Sequence, residues 1–76
     1  MSMVYEILEY DKQYNCHVVR DAMGMRRFVD IMVNGDFPAG TEPESLVGQK
    51  VECDYEHPFI AIAMNVRVIP KKGGEG

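Results

Sequence analysis

The sequence predicts an all-β domain with one short helical turn, built as a small five-stranded barrel over residues 1–70. Three observations carry this. Several segments alternate apolar and polar residues with a period of two, the pattern of a strand with one wet face. Gly, Pro, Asn and Asp cluster between those segments, where turns need them. Only "TEPESLVG" at 41–48 reads as helical, so the order is β-β-β-(short α)-β-β.

Residues 3–10, "MVYEILEY", are rich in β-branched and aromatic types, but they do not alternate cleanly. Tyr5 and Ile7 share one face; Val4, Leu8 and Tyr10 share the other. A strand that bends or carries a bulge would use both. "DKQYN" follows as a polar connection. "CHVVRD" at 16–21 and "RRFVDIMV" at 26–33 then read as a hairpin around "AMGM". The register that pairs Asp21 with Arg26 sets Val18 against Val29, Cys16 against Ile31, His17 against Asp30 and Val19 against Phe28. Apolar and opposite-charge partners then match, as cross-strand pairing favours. It points Cys16, Val18, Val29, Ile31 and Val33 inward.

"NGDFPAG" at 34–40 is turn material. Thr41 with Glu44 three residues later is a capping-box pattern, Pro43 suits a first helical turn, and Gly48 is placed to end it. "QKVECDYE" at 49–56 points Val51, Cys53 and Tyr55 in and Lys50, Glu52, Asp54 and Glu56 out. His57-Pro58 breaks the ladder, because Pro has no N–H to donate. "FIAIAMNVRVI" at 59–69 then puts Ile60, Ile62, Met64, Val66 and Val68 on one face. Residues 71–76, "KKGGEG", are expected to be a disordered tail.

Five strands with a helical turn between the third and fourth resemble the OB-fold. The resemblance covers about residues 3–69 and rests on element order and alternation. It implies that the strand 2–3 face carries any ligand, with aromatics for stacking and basic groups for phosphate. An SH3-like barrel, or a sheet completed by another subunit, is the alternative.

Composition narrows the functions. With 76 residues the chain is one small domain, and its thin core leaves little room for a substrate cleft. The 12 acidic and 8 basic residues give a net charge of -4. Lys71 and Lys72 outweigh Glu75 in the tail, so residues 1–70 carry -5. That balance weakens attraction to a phosphate backbone and permits a basic protein partner. No apolar run approaches a membrane span, and the first residues lack the form of a signal peptide. The expected compartment is the cytoplasm, with no membrane partner.

No residue set reads as catalytic. His17 opposite Asp30 would orient an imidazole, but no nucleophile stands beside it. No metal or cofactor is expected either. Cys16 and His17 are neighbours on a strand and point to opposite faces, and there is no C-x2-C pair. Cys53 falls inward, away from Glu52, Asp54 and Glu56, which form an acidic stripe.

The expected function is therefore a non-catalytic interaction module, binding a protein partner or a second copy of itself. Its contact residues would be an outward apolar patch of Val19, Phe28 and Met32. The alternative is single-stranded nucleic-acid binding through His17, Arg20, Arg26, Arg27 and Phe28. The predicted register sets Arg20 beside Arg27, so the anion that relieves them decides between these readings: an internal carboxylate or a ligand phosphate.

Overall fold

A computed structural model describes residues 2–70; the predicted tail at 71–76 lies outside the described residues. The strands are β1 (Met3–Asp11), β2 (Cys16–Arg20), β3 (Arg26–Val29), β4 (Lys50–Cys53), β5 (Tyr55–Glu56), β6 (Ala63–Met64) and β7 (Arg67–Val68), with a 3-10 turn at Pro43–Leu46. Five form one sheet in the order β3-β2-β1-β4-β7, and β5 pairs with β6 in a separate two-stranded sheet. The all-β class with one short turn is as expected. The single five-stranded barrel is not: the main sheet is open and two further short strands pair separately. Beyond β3 the chain meets the region around β6 and β7 at two isolated parallel bridges, Asp30↔Ile62 and Gly35↔Val66.

The irregular pattern of β1 is a β-bulge. Ile7 pairs with Val19 and Glu9 with Val18, which leaves Leu8 as the extra residue. The bulge resets the alternation, so Tyr5, Ile7 and Tyr10 share the inner face. Without it, one of these large side chains would be forced into solvent.

The β2–β3 hairpin departs from the predicted register by one residue. Arg20 lies opposite Arg26, Val19 opposite Arg27, Val18 opposite Phe28 and His17 opposite Val29. The cause is the loop. Asp21 N–H donates to Met25 C=O at 2.9 Å and Gly24 N–H to Asp21 C=O at 2.9 Å, with Gly24 at φ 83°. This is a three-residue loop with glycine in the left-handed position, one residue shorter than "AMGM". The Asp21 carboxylate locks it by accepting from the N–H groups of Met23 and Met25 at 3.0 and 2.9 Å. A one-residue slip exchanges faces. His17 and Val19 therefore turn inward with Val29, while Val18 and Phe28 turn outward. Of the residues expected inside, Val29 and Ile31 are buried, Val18 is buried at 8% exposure although it lies on the outer face, Cys16 is half-buried and Val33 is exposed.

The predicted last strand is broken, and so is its partner. β4 with β7 and β5 with β6 keep one continuous register, yet both chains bend at Asp54 and Asn65, where Asn65 adopts φ 58°. The phase changes on both sides together. Cys53 and Val66 face the core before the bend; beyond it Ala63 faces the core and Glu56 is half-buried. Tyr55, expected inside, is exposed, as is Ile60. The distal half of this hairpin thus presents its other face to the core.

The helical segment is short. Glu42 precedes it without a side-chain cap, and Thr41 Oγ1 donates back to Pro38 C=O at 2.6 Å, so the capping box does not form. Leu46 still plugs the core. Gly48, at φ 91°, sends its N–H to Ile7 C=O at 2.8 Å and clips the turn to β1. The core comprises Tyr5, Ile7, Val19, Val29, Ile31, Leu46, Val51, Cys53, Ala63 and Val66.

Candidate interaction face

The one-residue slip dissolves the predicted patch Val19–Phe28–Met32. Val19 is 0% exposed in the core, and Met32 packs half-buried against it. Phe28 alone remains outward, 51% exposed, with Val18 opposite it on β2. His17 is also out of reach of any ligand. It is fully buried, its ring lies 4.8 Å from that of Tyr10, and its Nε2 is 2.9 Å from the Pro43 carbonyl oxygen. A carbonyl only accepts, so Nε2 carries the proton. Nδ1 is buried with no hydrogen-bond partner.

The arginines of the hairpin each meet a carboxylate of this chain. Arg20 pairs with Glu6 at 3.0 Å and Arg26 with Glu9 at 3.4 Å, both across the outer face. Arg27 points to the other face and grips both oxygens of Glu56 at 2.5 Å, with Asp21 at 4.0 Å. Tyr5 Oη donates to Glu56 Oε2 from the core side. Burial pushes the Glu56 carboxyl above its usual range.

The acidic stripe is likewise not a free edge. Glu52 and Asp54 both contact Arg67, at 3.4 and 2.9 Å. Hydrogen bonds from Asn65 and then Arg67 hold the Asp54 carboxyl below its ordinary value. Burial, then the charges of Asp11 and Asp30, push the Cys16 thiol up, and burial pushes Cys53 up. Neither is poised as a thiolate nucleophile. Among the described residues no group of three or more metal-ligating side chains converges.

Phe28 has a neighbour that the sequence reading passed over. Tyr14, 62% exposed on the β1–β2 loop, sets its ring 6.0 Å from that of Phe28 at 34°. The loop is built to do this. Asp11 Oδ1 accepts from the N–H groups of Gln13 and Tyr14 at 2.9 and 3.2 Å, an Asx turn, and Asn15 takes φ 52° to return the chain to β2. The legible signal is the spacing of Asp11 and Asn15 around Tyr14. Beside the aromatic pair lies a hollow of about 410 Å³ lined by Glu9, Asp11, Val18, Arg26, Arg27 and Phe28. The arrangement offers apolar rings, two carboxylates and a sheet edge.

No protein-family model matches the chain, and neither a curated protein nor a solved structure is significantly similar to it. Among the described residues no helix is long and apolar enough to cross a membrane.

Proposed function

We propose that the protein is a non-catalytic interaction module whose outer β2–β3 face binds a protein partner. One observation carries the reading. The hairpin arginines are occupied by carboxylates of the same chain, while the aromatic pair Tyr14–Phe28 is exposed beside a hollow. Exposed aromatics next to a cavity are what protein interfaces use as anchors. Phosphate recognition needs free cations, and here each Arg would first have to leave its partner.

The OB-fold resemblance remains part of the proposal at the level of chain path. Support comes from β1 lying between β2 and β4, from the helical turn between β3 and β4, and from the parallel sense of both isolated bridges. The aromatic pair is also the feature that favours the second reading, because stacking on single-stranded bases needs only exposed rings.

Both readings are tested together. Random peptides displayed on phage are selected on the wild type and on Phe28→Ala, and oligothymidylate is titrated by fluorescence anisotropy at about 50 mM salt, where phosphate contacts are strongest. The expected result is a set of peptides whose binding drops about tenfold or more on Phe28→Ala, with no oligonucleotide binding. Peptides indifferent to Phe28, or Phe28-dependent oligonucleotide binding, overturn it.

A further inference from the structure

We infer that the partner is an extended basic segment that adds to the edge of β3, which ends the sheet among the described residues, and places a Lys or Arg side chain in the hollow beside Phe28. The inference rests on the protein-binding reading above and names the partner's chemistry.

The edge comes first. β3 ends the five-stranded sheet, with β2 on its inner side. Asp30, just past β3, turns its N–H and C=O away from β2, to Ala61 C=O at 2.8 Å and Ala63 N–H at 2.9 Å. Backbone groups alternate along a strand, so Phe28 and Arg26 present theirs the same way. Asp30 has its partner in the region of β6; Phe28 and Arg26 face outward beyond it. An extended peptide laid there would continue a pairing the fold has already begun, the β-addition mode of recognition.

Charge selects the kind of peptide. Glu9 and Asp11 line the hollow together with Arg26 and Arg27, so its selectivity depends on how firmly those arginines are held. Asp11 spends Oδ1 on the loop amides, leaving Oδ2. Glu9 holds Arg26 only at 3.4 Å, with the two side chains 65% and 61% exposed, so this ion pair exchanges readily. Arg27 is neutralised on the inner side by Glu56. A cationic side chain entering from a partner therefore finds one loosely held carboxylate, one half-free carboxylate and the faces of Phe28 and Tyr14, the combination that favours cation–π contact. A second copy of this chain fits less well, since each copy carries -4.

The probe is an acetylated heptapeptide alternating lysine and threonine, titrated into ¹⁵N-labelled protein, with a glutamate–threonine analogue as control. The expected result is shifts centred on β3, slowed exchange of the Phe28 N–H and no response to the analogue. Arg26 supplies a test by sign. Arg26→Gln frees Glu9 and should tighten binding about 2–5-fold, while Glu9→Gln should weaken it by a similar factor, the range of an exposed ion pair. Equal binding of the analogue, weaker binding by Arg26→Gln, shifts away from β3, or none at millimolar peptide each overturn the inference. Failure here is separable from failure of the parent reading. Phe28-dependent phage peptides that are neutral or acidic leave the parent standing and remove this inference. An absence of Phe28-dependent peptides removes the parent.

Discussion

Replacing Arg27 with methionine tests a charged cluster that ties the folded-over hairpin to the main sheet. Arg27 on β3 bonds both oxygens of Glu56 on β5, and Tyr5 completes the site from below. The magnitude lies between two limits. Breaking a fully exposed pair costs at most about 1 kcal/mol, and orphaning one partner of a fully buried pair costs about 3–5. The Arg27 and Glu56 side chains are 36% and 16% exposed, so about 2 kcal/mol is expected at neutral pH. For a domain of this size that lowers Tm by roughly 8–16 °C. The pH dependence has a definite sign. Burial already raises the Glu56 carboxyl above its unfolded value, and removing the guanidinium raises it further. A raised carboxyl binds more protons folded than unfolded, so its penalty is present above the folded value and relieved as pH falls through it. Melts of wild type and Arg27→Met between neutral pH and about pH 4.5, near the unfolded Glu value, should therefore converge on acidification. A gap that is constant with pH, or one below about 0.5 kcal/mol throughout, refutes the reasoning.

Other perturbations read separate parts of the structure. His17→Ala should destabilise by about 2–4 kcal/mol in chemical denaturation, because it empties a fully buried site and leaves the Pro43 carbonyl unpaired. Gly48→Ala should cost about 1 kcal/mol purely through its backbone, since φ is 91° and an added Cβ would meet nothing within 4 Å. Asp54 works opposite to Glu56. Its folded carboxyl is lowered by Asn65 and Arg67, so its contribution is present at neutral pH and lost as pH falls through the folded value. Asp54→Asn should flatten that acid limb of the stability profile. Cys16 and Cys53 should react with iodoacetamide at neutral pH more slowly than a model thiol, with both thiols raised by burial.

Element existence was legible wherever one face is wet and the other dry. β2, β3, β4 and the plug at Leu46 follow directly from alternation and turn residues, and the broken alternation of β1 pointed to a real bulge at Leu8. What failed was phase, because phase depends on how many residues a turn consumes. "AMGM" permits a three- or a four-residue loop, and only the hydrogen bonds of Asp21 and the left-handed Gly24 decide. Asn65 is a similar case: nothing in "AIAMNVRVI" announces that its Asn will adopt positive φ and turn both halves of a hairpin over. The site inherited the error. Val19 and His17 left the candidate surface because they changed faces, and Tyr14 joined it through an Asx turn in a stretch read as a simple polar connection.

The same register sets the electrostatic character of the surface. With Arg20 opposite Arg26, two like charges confront each other across β2 and β3, which is unfavourable in isolation. β1 relieves them: Glu6 is the ladder partner of Arg20, and Glu9, one rung beyond the bulge, reaches Arg26. Without the bulge, a regular ladder continuing from Ile7 and Val19 would set Leu8 opposite Val18 and send Glu9 to the inner face. One bulge and one three-residue loop thus act together. They convert what reads as a basic hairpin into a face whose cations are matched and whose distinguishing features are Phe28, Tyr14 and an open strand edge. On the proposed reading, recognition there comes from rings and backbone, with charge acting through the loosely held Glu9. That is why the sign of the Arg26→Gln effect separates a basic peptide from an anionic ligand more sharply than any loss-of-binding variant.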